Sequence, residues 1–254
     1  MKNSTLRTLL SHRSIREYKD KKVEEEKIED IVEAGMQAPF VSQMYSVIME
    51  KEKENIPFDA PILFTICVDV YKIKKVMEKR DWELVTNDLT LLIFGIQDAA
   101  YMAQNMVVAA ESMGLGTCYL GSPVMTARHL KEKYNLPEKV FPVVQLVVGY
   151  PRERPPVRPR YPLEFVLFED EYPKFSDEDI ERAMETMDQG FLQEDYYRKL
   201  NAMISVKSKD EDDLTYDDYS WTEHISRKWG QWYDELEGQM EKLEACGFEL
   251  SGED

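Results

Sequence analysis

Cysteine, histidine and glycine are all scarce in this chain of 254 residues, and each scarcity closes off a class of protein. The three cysteines, Cys67, Cys118 and Cys246, stand far apart, so they form neither a disulfide framework nor a zinc-ligand spacing. Three histidines on separate segments leave a metal centre short of ligands. There is no Walker loop, no HExxH and no GxSxG, which removes the commonest phosphate-cradling, zinc-protease and serine-hydrolase readings. GLGT at 114–117 follows a helical pattern rather than a strand, and Tyr119 stands where a third glycine belongs, so it is not a dinucleotide turn. No apolar run approaches the roughly 18 residues of a membrane span. The N-terminal LRTLLSHRSIR turns basic too soon for the core of a secretion signal. The expectation is a cytoplasmic protein with reduced thiols and no membrane partner.

Positive charge is also in short supply. The net charge is −17, and it is all in one place: residues from Glu169 to the end carry 26 acids against 9 bases, whereas residues 1–168 balance at 23 each. Duplex nucleic acid is a poor partner for such a chain. With 43% apolar residues the composition is that of a globular protein. The charge asymmetry sets the expected boundary: a core over 1–168 and an acidic helical extension over 169–254.

Hydrophobic periodicity supplies the elements. Ser4 is placed to cap a short helix, TLRTLLSH, and Ile28, Ile31, Val32 and Met36 share one face of a helix over 24–37 that Pro39 stops. YSVIME reads as a strand, and the unbroken ILFTICVD, rich in β-branched residues, as a strand buried on both faces. From Leu84 to Met113 the pattern predicts a long helix, apolar nearly all round, buried in a core or against another subunit. TCYLG and VVQLVVGY are further strands, with TARHLKEKYN a helix between them. Strands alternating with helices predict an α/β (α+β) fold with a helical C-terminal extension.

Two basic clusters stand out against the acidic background: HRSIR at 12–16, and Arg158 and Arg160 in a loop stiffened by prolines at 155, 156, 159 and 162. Arginine forks with serine hydroxyls suit a phosphate. Spacing alone leaves two readings open, solvated basic loops or a phosphate site.

The order of segments resembles that of the FMN-dependent nitroreductase and flavin reductase family, in particular its larger NADPH-dependent members. The matching stretches are HRSIR, QAPFVSQ, ILFTICVD, DAAYMAQNMVVAAESMGLGTCYLGS, LPEKVFPVVQLVVGYP, RPRYPL and WTEHI, in that order along nearly the whole chain. The resemblance implies a mixed sheet between helix layers and a domain-exchanged homodimer whose C-terminal extension wraps the partner. It also implies an FMN phosphate held by His12, Arg13 and Ser14 from one side and by Arg158 and Arg160 from the other. Arg16 would meet the charge that collects at the flavin's N1/O2 edge on reduction. Gln43 would hydrogen-bond the pyrimidine end, and Tyr119, Leu120 and Gly121 would lie beside the ring. The implied reaction passes hydride from NAD(P)H to flavin and on to a small-molecule acceptor such as a nitroaromatic, a quinone or free flavin, by a ping-pong route. It requires no protein acid or base, so no catalytic residue is assigned. Two other readings stay open, a specialised reductive step such as dehalogenation, and a non-enzymatic flavin-binding protein whose acidic lobe recruits a partner.

The chain departs from the family pattern where the larger members grip the 2′-phosphate of NADPH with arginines. Here the segment before WTEHI reads SKDEDDLTYDDYS, with Lys209 in it and Lys207 just ahead of it against Asp210, Glu211, Asp212, Asp213, Asp217 and Asp218, and Arg198 is left as the alternative holder of that phosphate. Like charge repels that phosphate. The expected outcome is that NADH bleaches the flavin at least as fast as NADPH in stopped flow, and that added salt improves NADPH more than NADH. A strong NADPH preference at low salt would overturn it.

Overall fold

The computed structural model describes residues 3–207, 214–231 and 238–250, which fall into two compact units. The first holds residues up to 155 together with 238–250, and the second lies within 156–237. Charge places the expected boundary at 168/169, but packing places it at 155/156 and returns the C-terminal segment to the first unit. The reason is a small apolar island that charge counting passes over. Cys246 and Phe248 are fully buried among Met44, Val68, Leu91 and Phe141.

The first unit is built on a four-stranded sheet of order β1-β2-β4-β3: β1 (Tyr45–Glu50), β2 (Ile62–Asp69), β3 (Gly116–Leu120) and β4 (Val140–Gly149). All three strand pairs run antiparallel. The expected mixed character is confined, among the described residues, to one parallel bridge, Ser14 with Thr117. Strand β2 is buried along its whole length, as its unbroken apolar run requires. Ile62, Phe64 and Ile66 turn to one face, and Leu63 turns to the other against Ile15, Tyr18 and Val147.

Helices α1 (Ser4–Leu10), α2 (Glu25–Met36), α3 (Tyr71–Glu78), α4 (Asp88–Ser112) and α5 (Ala127–Tyr134) belong to this unit, as does α9 (Gln239–Ala245). Asn3, not Ser4, caps α1: its Oδ1 accepts the Leu6 N–H at 2.9 Å. Helix α4 is the spine. Gly95 lets it lie directly on β2, because a Cβ there would sit 2.5 Å from Val68 Cγ1. Its inner face buries Leu91, Leu92, Ala99, Met102, Met106, Val107 and Ala110, whereas Leu89, Ile93, Phe94, Ile96 and Tyr101 remain exposed. No helix among the described residues is long and apolar enough to cross a membrane.

The second unit contains α6 (Asp177–Gln193), α7 (Tyr196–Leu200) and α8 (Trp221–Gln231) around a small core of Met187, Phe191, Tyr197 and Tyr219. Ser176 and Asp179 form a reciprocal capping box at the start of α6. Rings do most of the filling: Phe191 stacks on Tyr197 with centroids 5.7 Å apart, and Tyr219 meets Tyr197 edge-on at 5.2 Å.

One buried charge joins α4 to the loop before β1. Asp98 is 0% exposed, and its carboxylate accepts the backbone N–H groups of Val41 at 2.6 Å and of Ser42 and Met44 at 3.0 Å. Asp98→Ala strands three donors at once and is expected to cost about 3 kcal/mol or more in urea unfolding. Gly95→Ala is expected to cost about 1–3 kcal/mol through overpacking on Val68. A loss below about 1 kcal/mol for Asp98→Ala would show that water takes over those amides.

Candidate functional site

The extended segment 12–18 is hooked onto the edge strand β3. Ser14 bridges Thr117, the Ile15 N–H donates to the Thr117 carbonyl at 2.8 Å, and Tyr18 bridges Pro151. Ile15 and Tyr18 supply the apolar anchors, and the Tyr18 hydroxyl donates to the Ile15 carbonyl at 2.7 Å. Burial pushes the Tyr18 phenol up, so it stays a neutral donor. The segment therefore needs few hydrogen bonds of its own to hold position. Its polar side chains are left for other work.

His12 does not stand alone. Its Nδ1 lies 2.6 Å from Glu111 Oε1, and the same oxygen accepts the Thr117 hydroxyl at 3.0 Å. Arg13 turns elsewhere: its Nε donates to the Ser11 carbonyl at 3.1 Å, and the side chain lines a cleft of about 390 Å³ with Glu111, Glu153 and Arg154. The backbone N–H groups of Arg16 and Glu17 donate to Glu153 Oε1 at 2.5 and 3.1 Å. The Arg16 guanidinium is half-buried and, among the described residues, has no hydrogen-bond or ion-pair partner. It lies near Cys118, where burial pushes the thiol up while Arg16 and the Ser14 side chain work against that rise.

Tyr119 and Leu120 end β3, and Gly121 follows. Burial, and then the Glu111 carboxylate, push the Tyr119 phenol up. Gly121 has φ −86° and ψ −4°, which any residue adopts, and a Cβ there would meet nothing within 4 Å. Neither backbone conformation nor packing within the chain calls for glycine at this position. A close-lying ligand would.

The structure thus lays the segment bearing His12, Ser14 and Arg16 along β3, the strand that ends in Tyr119 and Leu120 and leads into Gly121. It does not bring Gln43 to them. Gln43 is exposed at φ 54°, held in that left-handed conformation because Asp98 takes the amides on both sides of it. Asp98 is mid-way along α4 and Glu111 is in its last turn, which sets the two anchor points roughly 20 Å apart along the axis.

Arg158 and Arg160 belong to the second unit and are engaged there. Arg158 pairs with Glu194, both of them largely buried, and its guanidinium lies 3.9 Å from the Tyr196 ring centroid. Arg160 donates to the carbonyls of Arg158 and Pro159 at 3.1 and 2.8 Å. Arg198 pairs with Asp217 and with Asp195. Lys209, Asp210, Glu211, Asp212 and Asp213 lie outside the described residues.

Sequence reasoning missed the carboxylates: Asp98, Glu111, Glu153 and Glu194 carry no spacing signal. Asp98 alone could have been flagged, as the one acid inside LLIFGIQDAAYMA. Among the described residues no group of acids, histidines and cysteines could hold a metal ion.

Comparison with known proteins gives a consistent set of relatives. The sequence model described as "Nitroreductase family" matches residues 9–49 and 47–150. A protein of Pseudomonas sp. (strain G-1) named "CR(VI) reductase" is 35% identical over 179 residues, 65% of this chain and 73% of its own. The "FMN reductase (NADPH)" of Bacillus subtilis (strain 168) is 32% identical over 213 residues, 78% of this chain and 84% of its own. Among solved structures, NfrA2 of B. megaterium superposes with a TM-score of 0.82 at 28% identity, covering 99% of this chain and 100% of that one.

Proposed function

Since the chain belongs to the nitroreductase family, we propose that it is an FMN-dependent NAD(P)H oxidoreductase that reduces nitroaromatics, quinones or free flavin. The observation that carries this reading is the half-buried Arg16 guanidinium, without a hydrogen-bond or ion-pair partner among the described residues and close to Cys118 of β3, with Ser14 and His12 on the same segment. FMN, when bound, supplies an acceptor and donor of hydride at one ring nitrogen. The residues present fit that group. His12 and Ser14 offer phosphate donors, Gly121 leaves room for a flat ring to approach its backbone, and Arg16 provides a fixed cation that favours a ring gaining negative charge. Reduced nicotinamide and acceptor would use the same space in turn, which is the ping-pong route.

A second copy of the chain completes the proposal. Leu89, Ile93, Phe94, Ile96 and Tyr101 form an exposed apolar face on the spine helix, more than an isolated chain comfortably shows to water. The homodimer that would cover it also gives Gln43 a flavin to meet, in the partner's site. Cytoplasmic residence fits three free, buried thiols.

Two results are expected. Acid precipitation of the yellow protein should release FMN and not FAD; release of FAD, or failure to bind flavin at all, would overturn the reading. Arg16→Ala should lower the reduction potential of the bound flavin with little loss of affinity, because it removes a cation from beside the reduced ring. His12→Ala should do the reverse, costing about 1.5–3 kcal/mol of FMN binding at nearly constant potential. Equal behaviour of the two variants would refute this division of roles.

A further inference from the structure

We propose that Glu111 is the positioning residue of the phosphate end, fixing the tautomer of His12 and balancing the ring's charge when a phosphate is held. The inference rests on the flavin reading above and deepens it. A carboxylate only accepts hydrogen bonds, so the 2.6 Å contact makes His12 Nδ1 the protonated nitrogen. Nε2 is then the one ring nitrogen left for a ligand. A phosphate oxygen also only accepts, so Nε2 must carry a proton to meet it. With both nitrogens protonated the ring is an imidazolium, and Glu111 is its counter-charge.

The geometry suits that task. Glu111 is 14% exposed in its side chain against 29% for His12, so the pair is only partly screened by water. The carboxylate cannot drift, because the same Oε1 is held by the hydroxyl of Thr117, a residue with 0% exposure. Thr117 in turn carries the Ser14 bridge and the bond to the Ile15 amide. One oxygen at the end of α4 therefore sets the rotamer of His12 relative to the strand that bears Tyr119. Glu111 also lies close enough to Tyr119 to push that phenol up. It touches no reacting atom, and its influence passes through the imidazole.

The test uses the full-length chain stripped of flavin and titrated with FMN and with riboflavin, following flavin fluorescence. Riboflavin lacks the phosphate and serves as the internal reference. Glu111→Gln keeps the size and an acceptor oxygen but removes the counter-charge. It is expected to raise the Kd for FMN about tenfold or more while leaving that for riboflavin within about twofold. In a His12→Ala background the same substitution should add nothing. Thr117→Val, which removes the bond that holds the carboxylate in place, should weaken FMN relative to riboflavin in the same direction but by less than Glu111→Gln.

Equal weakening of FMN and riboflavin by Glu111→Gln would mean that the carboxylate is only a strap for segment 12–16, and would overturn the proposal. An unchanged FMN affinity would overturn it as well. A wild-type chain that binds neither flavin refutes the flavin reading itself, and that outcome is seen before any variant is made.

Discussion

The fully buried carboxylate of Asp98 is the contact on which much of the first unit depends. A charge in the middle of an apolar helix would be ruinous if left bare, since removing an ion from water costs several kcal/mol even after relaxation. Here three backbone amides of the 41–44 loop close on it. The cost of burying the charge is thereby turned into a constraint. The loop must wrap the carboxylate, β1 must start where the loop ends, and Gln43 must take a left-handed conformation. Because Gly95 seats the same helix on β2, the loop, the helix and the sheet share one frame.

Helix α4 serves both ends of that frame. Asp98 in its middle holds the 41–44 loop, and Glu111 in its last turn holds His12 and Thr117. A rigid rod with two carboxylates sets a separation that neither loop could set for itself, because loops have no periodic hydrogen bonding to resist bending. This arrangement keeps His12 and Gln43 well apart within one chain. Residues that the family resemblance assigns to one flavin therefore sit at two distant anchor points, and the proposed homodimer is the simplest way to reconcile them.

Carboxylates also recur beside the cationic groups. Glu111 meets His12, Glu153 takes the amides of Arg16 and Glu17, Glu194 pairs with Arg158, and Asp195 and Asp217 hold Arg198. A net charge of −17 makes acids abundant, yet these are placed rather than scattered. Those that meet a side-chain cation remove conformational freedom from it, at the expense of some of its pull on an incoming anion. Arg16 is the exception, and it is the group beside which the proposal puts the reacting ring.

Much of the architecture was legible in the residues themselves. The unbroken ILFTICVD read as a doubly covered strand, and the apolar stretch before GLG as a long helix buried in a core or against another subunit. Both follow from short-range periodicity, which depends on neighbours along the chain. The HRSIR cluster stood out for the same reason, since its donors are adjacent in sequence, and the family resemblance turned it into a proposed phosphate site. The partners of those donors could not be read, because Glu111 is 99 residues from His12 and Glu153 is 137 from Arg16. The domain boundary likewise followed burial rather than charge, with Cys246 and Phe248 returning to the first core from within an acidic tail. Charge and periodicity are sums over nearby residues, so sequence by itself determined most of the elements and where the basic clusters lie. A buried carboxylate is stable only where distant amides, hydroxyls or cations close around it, and that closure exists only in the folded chain.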